Sequence, residues 1–344
     1  MLFSTVNMNT PDGLGIVEEK NQLLLADTLA DMLTAVRHGN GRDWWVVAPK
    51  DKSNRYFLWR LTPGGIIGPE IRQSGTAWNA KDWSGQAVFS PDGTRYARAN
   101  PYNGLHVFDF DRCTGTFSHP RSIPLNSDSV GACGVAFSPN SRYLYLSTGL
   151  QLFQFDMEAP NLLLSKKLIG TYDGYVAPFP TTFYQQMLAP DGKIYMTCTN
   201  GNHIMHVIHQ PNKNGVSCNF EQHGLGLPAH ISWTTPNFPH FRLYDWAGSP
   251  CDTLGLNGGP VSAGEPSAGS AAQLALWPNP AVEAFTAAAA APLGGWVLSN
   301  SLGQVVREGQ GGQPVVRVDV QGLPAGVYYF CAAGYRAVKL AVAD

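Results

Sequence analysis

One hydrophobic–polar pattern recurs along the chain. "GQAVFSPDGTRYARANP" begins at Gly85, "CGVAFSPNSRYLYLSTG" at Cys133 and "YQQMLAPDGKIYMTCTN" at Tyr184. Each opens on an apolar run, breaks at Pro-Asp-Gly or Pro-Asn-Ser, and resumes with a period of two, which predicts a β-hairpin. Pro presets φ at about −65° and Gly tolerates positive φ, so the turn chemistry agrees with the pattern. Ser90, Ser138 and Ala189 are equivalent positions, 48 and 51 residues apart. Weaker copies, "AVRHGNGRDWWVVAP" from Ala35 and "HISWTTPNFPHFRLYD" from His230, predict two more hairpins.

Third strands follow in "YFLWRLTPGG", "LHVFDFDRCTG", "LFQFDMEAP" and "HIMHVIHQPNKNG", and a more variable fourth leads to the next copy. Four strands in a period of roughly 40–50 residues predict a β-propeller blade. A blade cannot cover both of its faces alone, so neighbours stack around an axis. Trp44, Trp45, Phe89, Phe137 and Tyr145 are expected between blades, where packing alone accounts for them. "FSTVNMNTPDGLGI" matches the third-strand copies, so the chain opens in mid-blade. Either the hairpin at 230–244 supplies the missing inner strands and closes a five-bladed ring, or earlier blades and a leader precede Met1 and the chain is an open arc. The second is expected.

The pattern stops at about residue 250 and restarts near 273. "GLNGGPVSAGEPSAGSAA" has little apolar bulk, so 251–272 read as a flexible, protease-sensitive linker. Beyond it come "LGQVVREG", "PVVRVDV", "GVYYFCAA" and "AVKLAVA", punctuated by Gly303, Gly322, Gly326 and Gly334. They predict a small antiparallel sandwich of about seven strands over 273–344. The fold class is therefore all-β: a propeller over 1–250, then an Ig-like sandwich.

Composition narrows the function. The formal charge is −2 over 344 residues, which argues against a nucleic-acid surface. No apolar run reaches the roughly 18 residues of a membrane span. "MLFSTVNMNT" has neither a basic nor a long apolar stretch, so by itself it reads as cytoplasmic. Six cysteines allow 15 pairings, and none has Cys-x-x-Cys spacing. Cys113–Cys133 and Cys198–Cys218 share a spacing of 20 residues, and Cys218–Cys251 would staple the end of the propeller; free buried thiols are the alternative.

The candidate chemistry is sparse. His203, His206 and His209 would share a face only in part, because a strand sends His206 away from the other two. Asp92 and Asp191 fit as caps of their own turns. Asp109, Asp111 and Arg112 suggest a carboxylate–guanidinium pair between blades. His38, Arg42 and Asp43 form a polar cluster on a propeller face around the turn at Asn40 and Gly41. No nucleophile elbow, phosphate loop or acid/base pair is present, so no catalytic, cofactor or metal residues are assigned.

The Ser-Pro-Asp-Gly hairpins resemble bacterial WD40-like propeller repeats. "TAVRHGNGRDWWVV", "FDFDRCTG", "VAFSPNSRYLYLST", "LAPDGKIYM" and "TPNFPHFRL", in this order, resemble a family of secreted propeller proteins of Gram-negative bacteria that use type IX secretion. "WPNPA", "LGQVV", "LPAGVYYF" and the closing "VKLAV" are similar to the type IX C-terminal sorting domain. The family usually has Tyr where Trp277 stands. The resemblance implies export to the cell surface or medium, recognition by the outer-membrane translocon, and a signal peptide upstream. The sorting residues it implies are Trp277, Pro278, Asn279, Pro280, Gly303, Leu323, Pro324, Gly326, Tyr328 and Lys339. The propeller is expected to bind an extracellular protein or glycan, or alternatively to be a lactonase, lyase or glycosidase with its site at the central channel.

Overall fold

The computed structural model describes residues 1–8, 15–78, 85–125, 131–254, 274–289, 291–300, 304–332, 335 and 338–343. The chain divides into two compact units, Met1–Asn257 and Gly258–Asp344. Residues 255–272 of the expected linker lie outside the described residues, as do Gly303 and Gly334.

The first unit is a β-propeller. Strands β1 (Leu2–Asn7) and β2 (Ile16–Leu23) make a two-stranded ribbon. Four four-stranded antiparallel sheets follow. The first holds β3 (Thr34–Arg37), β4 (Trp44–Pro49), β5 (Arg55–Thr62) and β6 (Gly65–Gln73). The second holds β7 (Gln86–Phe89), β8 (Arg95–Asn100), β9 (Gly104–Asp111) and β10 (Thr116–Ile123). The third holds β11 (Gly134–Phe137), β12 (Tyr143–Ser147), β13 (Gln151–Asp156) and β14 (Lys167–Thr171). The fourth holds β15 (Phe183–Leu188), β16 (Ile194–Cys198), β17 (Asn202–Ile208) and β18 (Phe220–Ile231). In each sheet the strands pair in chain order, and the first strand lies beside the first strand of the next sheet. β3, β7, β11 and β15 are thus the inner strands of successive blades.

The core is a stack of layers between these blades. Trp45, Tyr56 and Leu58 of the first blade meet Phe89, Tyr96 and Phe108 of the second. Ala97 and Val107 meet Val135, Leu144 and Phe155. Tyr145 and Leu152 meet Phe183, Ile194 and Ile208. At about 1.5–3 kcal/mol for each large side chain buried, these layers are the main stabilising term. Trp45, Phe89, Phe137 and Tyr145 are buried as expected. Trp44 is only half-buried and packs edge-on against Phe241, with Arg37 over its ring.

The repeated turn is built the same way four times. His38, Ser90, Ser138 and Ala189 each accept a bond from the residue three positions on, at Gly41, Gly93, Ser141 and Gly192. Those four residues have φ of 76°, 71°, 60° and 79°, the left-handed region that explains three glycines. Asn40, Asp92, Asn140 and Asp191 each accept a backbone N–H two residues ahead through the side-chain oxygen. Asp92 and Asp191 are turn caps.

The hairpin expected at 230–244 does not form. β18 runs through Ile231, and residues 232–254 carry no strand. Pro236 and Pro239 have no amide to donate to a ladder.

The second unit has two sheets, face to face. One holds β19 (Ala275–Trp277), β20 (Ala284–Ala288) and β23 (Val315–Asp319); the other holds β21 (Trp296–Asn300), β22 (Val305–Gly309), β24 (Gly326–Ala332) and β25 (Val338–Val342). Phe285, Ala287 and Val318 of the first pack against Leu298, Tyr328, Phe330 and Leu340 of the second.

Candidate functional site

The inner strands are drawn together by glutamine side chains. Gln86 Oε1 accepts from Val135 N and Gln186 N, both at 3.0 Å, while its Nε2 donates to Gln186 O at 2.6 Å. One side chain on β7 thereby joins β11 and β15. Gln186 Nε2 in turn donates to Gly134 O at 3.0 Å. Gly134 must be glycine, since a Cβ there would lie 2.1 Å from Tyr184 O. Polar residues opening an otherwise apolar inner strand were the available signal in "GQAVF" and "YQQML", and sequence reasoning missed it.

Residues 236–240 lie against these strands, within a segment, 233–251, that is fastened along its length. Thr197 Oγ1 donates to Trp233 O at 3.2 Å, and Asn237 donates to Leu33 O. His240 Nε2 sits 3.1 Å from Phe89 O. Arg37 donates to Phe241 O, and Trp246 N to Gly39 O at 2.7 Å. Between this segment and all four inner strands remains a cavity of about 40 Å³, bounded by Thr34, Gln86, Ala136, Gln186 and Phe238. A water needs about 10–15 Å³ on this measure, so the space suits two or three waters.

The segment ends at the expected polar cluster. His38 and Asp43 are buried and Arg42 is exposed. Arg42 Nε and Asp43 Oδ1 form an ion pair at 2.7 Å, and Asn40 Nδ2 donates to Asp43 Oδ2 at 2.9 Å. Burial pushes the Asp43 carboxyl up, but the bonds from Arg42 and Asn40 outweigh it and leave it below the ordinary range. The His38 ring turns away from this pair. Its Nδ1 accepts from Asn40 N, so Nε2 carries the proton and donates to Cys113 O at 3.1 Å. Burial lowers the His38 pKa. A neutral histidine locked between two backbone groups, beside a paired carboxylate, is a structural hub and has no free base.

Arg112 is the centre of that hub. It makes no pair with Asp109 or Asp111: its guanidinium donates to the carbonyls of Arg37, His38 and Tyr244. Asp109 bonds Arg121 in its own blade, and Asp111 caps the turn at Cys113 and Thr114. Burial brings the Arg112 pKa down to about 10.

The disulfide is Cys113–Cys251. The two pairings weighed from spacing and the staple Cys218–Cys251 are all absent: Cys133, Cys198 and Cys218 are free and buried, the stated alternative, and Cys331 is free and half-buried. The shared spacing misleads because Cys113 lies in a β9–β10 turn, whereas Cys198 ends β16 in the core. Burial pushes the Cys198 thiol up to about 12, which keeps it inert beside His206.

The strand separates the three spaced histidines as expected. His203 is exposed and His206 is fully buried, donating from Nε2 to Thr181 O at 2.8 Å; His209 pairs with Glu221. His38, His106, His223 and His240 also bond through a ring nitrogen, and His119 pairs with Asp109. Among the described residues no group of three or more His, Cys, Asp or Glu is placed to hold a metal.

In the second unit the motif residues meet on the last strand. Asn279 Nδ2 donates to Lys339 O at 2.9 Å, and Ala341 N donates to Asn279 Oδ1 at 2.8 Å. Gly326 pairs with Val342, and Tyr328 with Leu340. The Tyr328 hydroxyl donates to Pro324 O at 2.8 Å, and Leu323 N to Val320 O. Trp277 is 50% exposed, and Pro278 and Pro280 border an open depression with Phe285 and Arg317.

No protein-family model matches the chain, and no curated protein does. Solved structures that are similar include a candidate 6-phosphogluconolactonase from Bacteroides fragilis NCTC 9343, at 13% identity and a TM-score of 0.46, covering 67% of this chain and 66% of that one. PorZ, an essential surface component of the type IX secretion system of Porphyromonas gingivalis, is similar at 12% identity and a TM-score of 0.37, covering 97% of this chain and 48% of that one. The gluconolactonase XC5397 of Xanthomonas campestris follows at 15% identity and a TM-score of 0.33, covering 55% of this chain and 60% of that one. The chain thus spans less than two thirds of the length of each, and likenesses at this level assign it no activity. No helix among the described residues is long and apolar enough to cross a membrane.

Proposed function

We propose that the chain is an exported β-propeller that binds an extracellular protein or glycan, and that residues 273–344 are its type IX sorting label, read by the outer-membrane translocon. One observation carries the label: "WPNP", "LPAGVYY" and "VKLAV" are distant in sequence but converge on β25 through Asn279, Gly326 and Tyr328. A receptor contacting the terminal strand would meet all three at once. Binding is favoured over catalysis because residues 236–240 lie against all four inner strands and leave a space of only about 40 Å³ between. Turnover at the axis would require that segment to leave.

The test is secretion. In a host with the type IX machinery, and with a signal peptide added, the full chain should reach the surface or the medium. The chain lacking Leu274–Asp344 should stay in the periplasm. Equal export of both would defeat the label.

A further inference from the structure

Of the nine histidines, the two whose ring nitrogens find no protein partner among the described residues are the two that touch each other. His203 lies on β17 and His230 on β18, both exposed, with ring centroids 3.7 Å apart. We propose that His203 and His230 form a two-histidine site for a divalent late first-row metal ion, of the class of Cu(II), Ni(II) and Zn(II).

The backbone supplies the preorganisation. Asn202 pairs with Ile231 and Ile204 with Gly226, so β18 carries extra residues opposite His203, and His230 is delivered onto it from that bulge. Asn202 and Ile231, the chain neighbours of the two histidines, are paired in the ladder, and this pairing brings the two rings together. The present tilted arrangement, with 46° between the ring planes, is not yet a chelate, because both nitrogens must turn toward one ion at about 2.0–2.1 Å. Gly201 does not crowd the pair: a Cβ built there would meet only His230 Nδ1, at 4.0 Å. Imidazole nitrogen suits these ions, and Cu(II) is favoured by the general order of affinities. Water would fill the remaining positions and leave the site open to a further ligand.

Nothing in the spacing of His203, His206 and His209 leads here. The strand removes His206 into the core and pairs His209 with Glu221, while the fold brings up His230, 27 residues beyond His203.

Calorimetric titration of the full, tag-free chain with Ni(II) and Zn(II) tests the site. One equivalent should bind, and His203→Gln and His230→Gln should each weaken it by at least an order of magnitude. His119→Gln, at an exposed histidine on another blade, should leave it unchanged. Melting in EDTA should be the same for all four proteins, since both rings are on the surface. Metal binding that survives either substitution at His203 or His230, or that His119→Gln weakens as much, overturns the proposal, as does no binding by the unmodified chain. Because this assay reads the propeller without export, its failure leaves the sorting label standing, and the converse.

Discussion

Cys113 is bonded to Cys251 across 138 residues, and the bond fastens the end of the segment 233–251 to the β9–β10 turn of the second blade. Around it His38 holds Cys113 O, Arg112 holds Tyr244 O, and Gly39 O holds Trp246 N. The covalent link and the Arg112–Tyr244 bond secure the same two pieces of chain, and His38 and Gly39 tie both of them to the turn of the first blade.

Removing the link should loosen the segment first. In the loop-entropy description, a closed loop of this length contributes about 5 kcal/mol, although measured values often fall short. The Cys113→Ser/Cys251→Ser chain is expected to melt at lower temperature than the oxidised parent and to be cleaved earliest between Trp233 and Cys251. Cleavage appearing first in β11 or β12, with melting unchanged, would mean that the hub alone holds the segment.

The blades were legible because their turns follow local rules. Asp92 and Gly93 do what Pro-Asp-Gly predicts, and the same cap reappears at Asn40 and Gly41, where the sequence match is weak. Residues 230–244 failed the same reading because their resemblance lay in composition, while Pro236 and Pro239 removed the amides that pairing needs. The axial arrangement was not legible for a different reason. Gln86 meets Gln186 across 100 residues, and Cys113 meets Cys251 across 138, so no local pattern marks either contact. Of the cluster predicted at His38, Arg42 and Asp43, the ion pair is local and was readable; the partner of the imidazole, Cys113 O, was not.

Acid should destabilise the propeller above the range in which carboxylates titrate. Burial lowers His206 and His106 to about 4 each, against an ordinary value of 6.5. The unfolded chain then binds more protons than the folded one between those values, so stability is complete above about pH 6.5 and falls as pH drops toward 4. Urea unfolding followed from about pH 7.5 to 4.5 should show this slope. His206→Gln is expected to be less stable at neutral pH, since it disturbs the bonds to Thr181 O and His223 N, yet to lose less on acidification. A slope identical to that of the parent would show that His206 is not a source of it.

Asn279 should govern the terminal strand. It donates to Lys339 O and accepts from Ala341 N, and both bonds are exposed to solvent. At a net of about 0.5–1.5 kcal/mol for each bond, Asn279→Ala should cost the second unit about 1–3 kcal/mol. The loss should be local before it is global, because β25 has one neighbour in its sheet, β24. Amide exchange is therefore expected to rise at Ala341 while Phe330 stays protected. Asn279→Asp separates the two bonds: it keeps the acceptor for Ala341 N and loses the donor to Lys339 O, so its stability should fall between the parent and Asn279→Ala. An aspartate variant as unstable as the alanine one would place the whole effect on Lys339 O, and unchanged exchange in both would remove Asn279 as the clamp that joins "WPNP" to the end of the sheet.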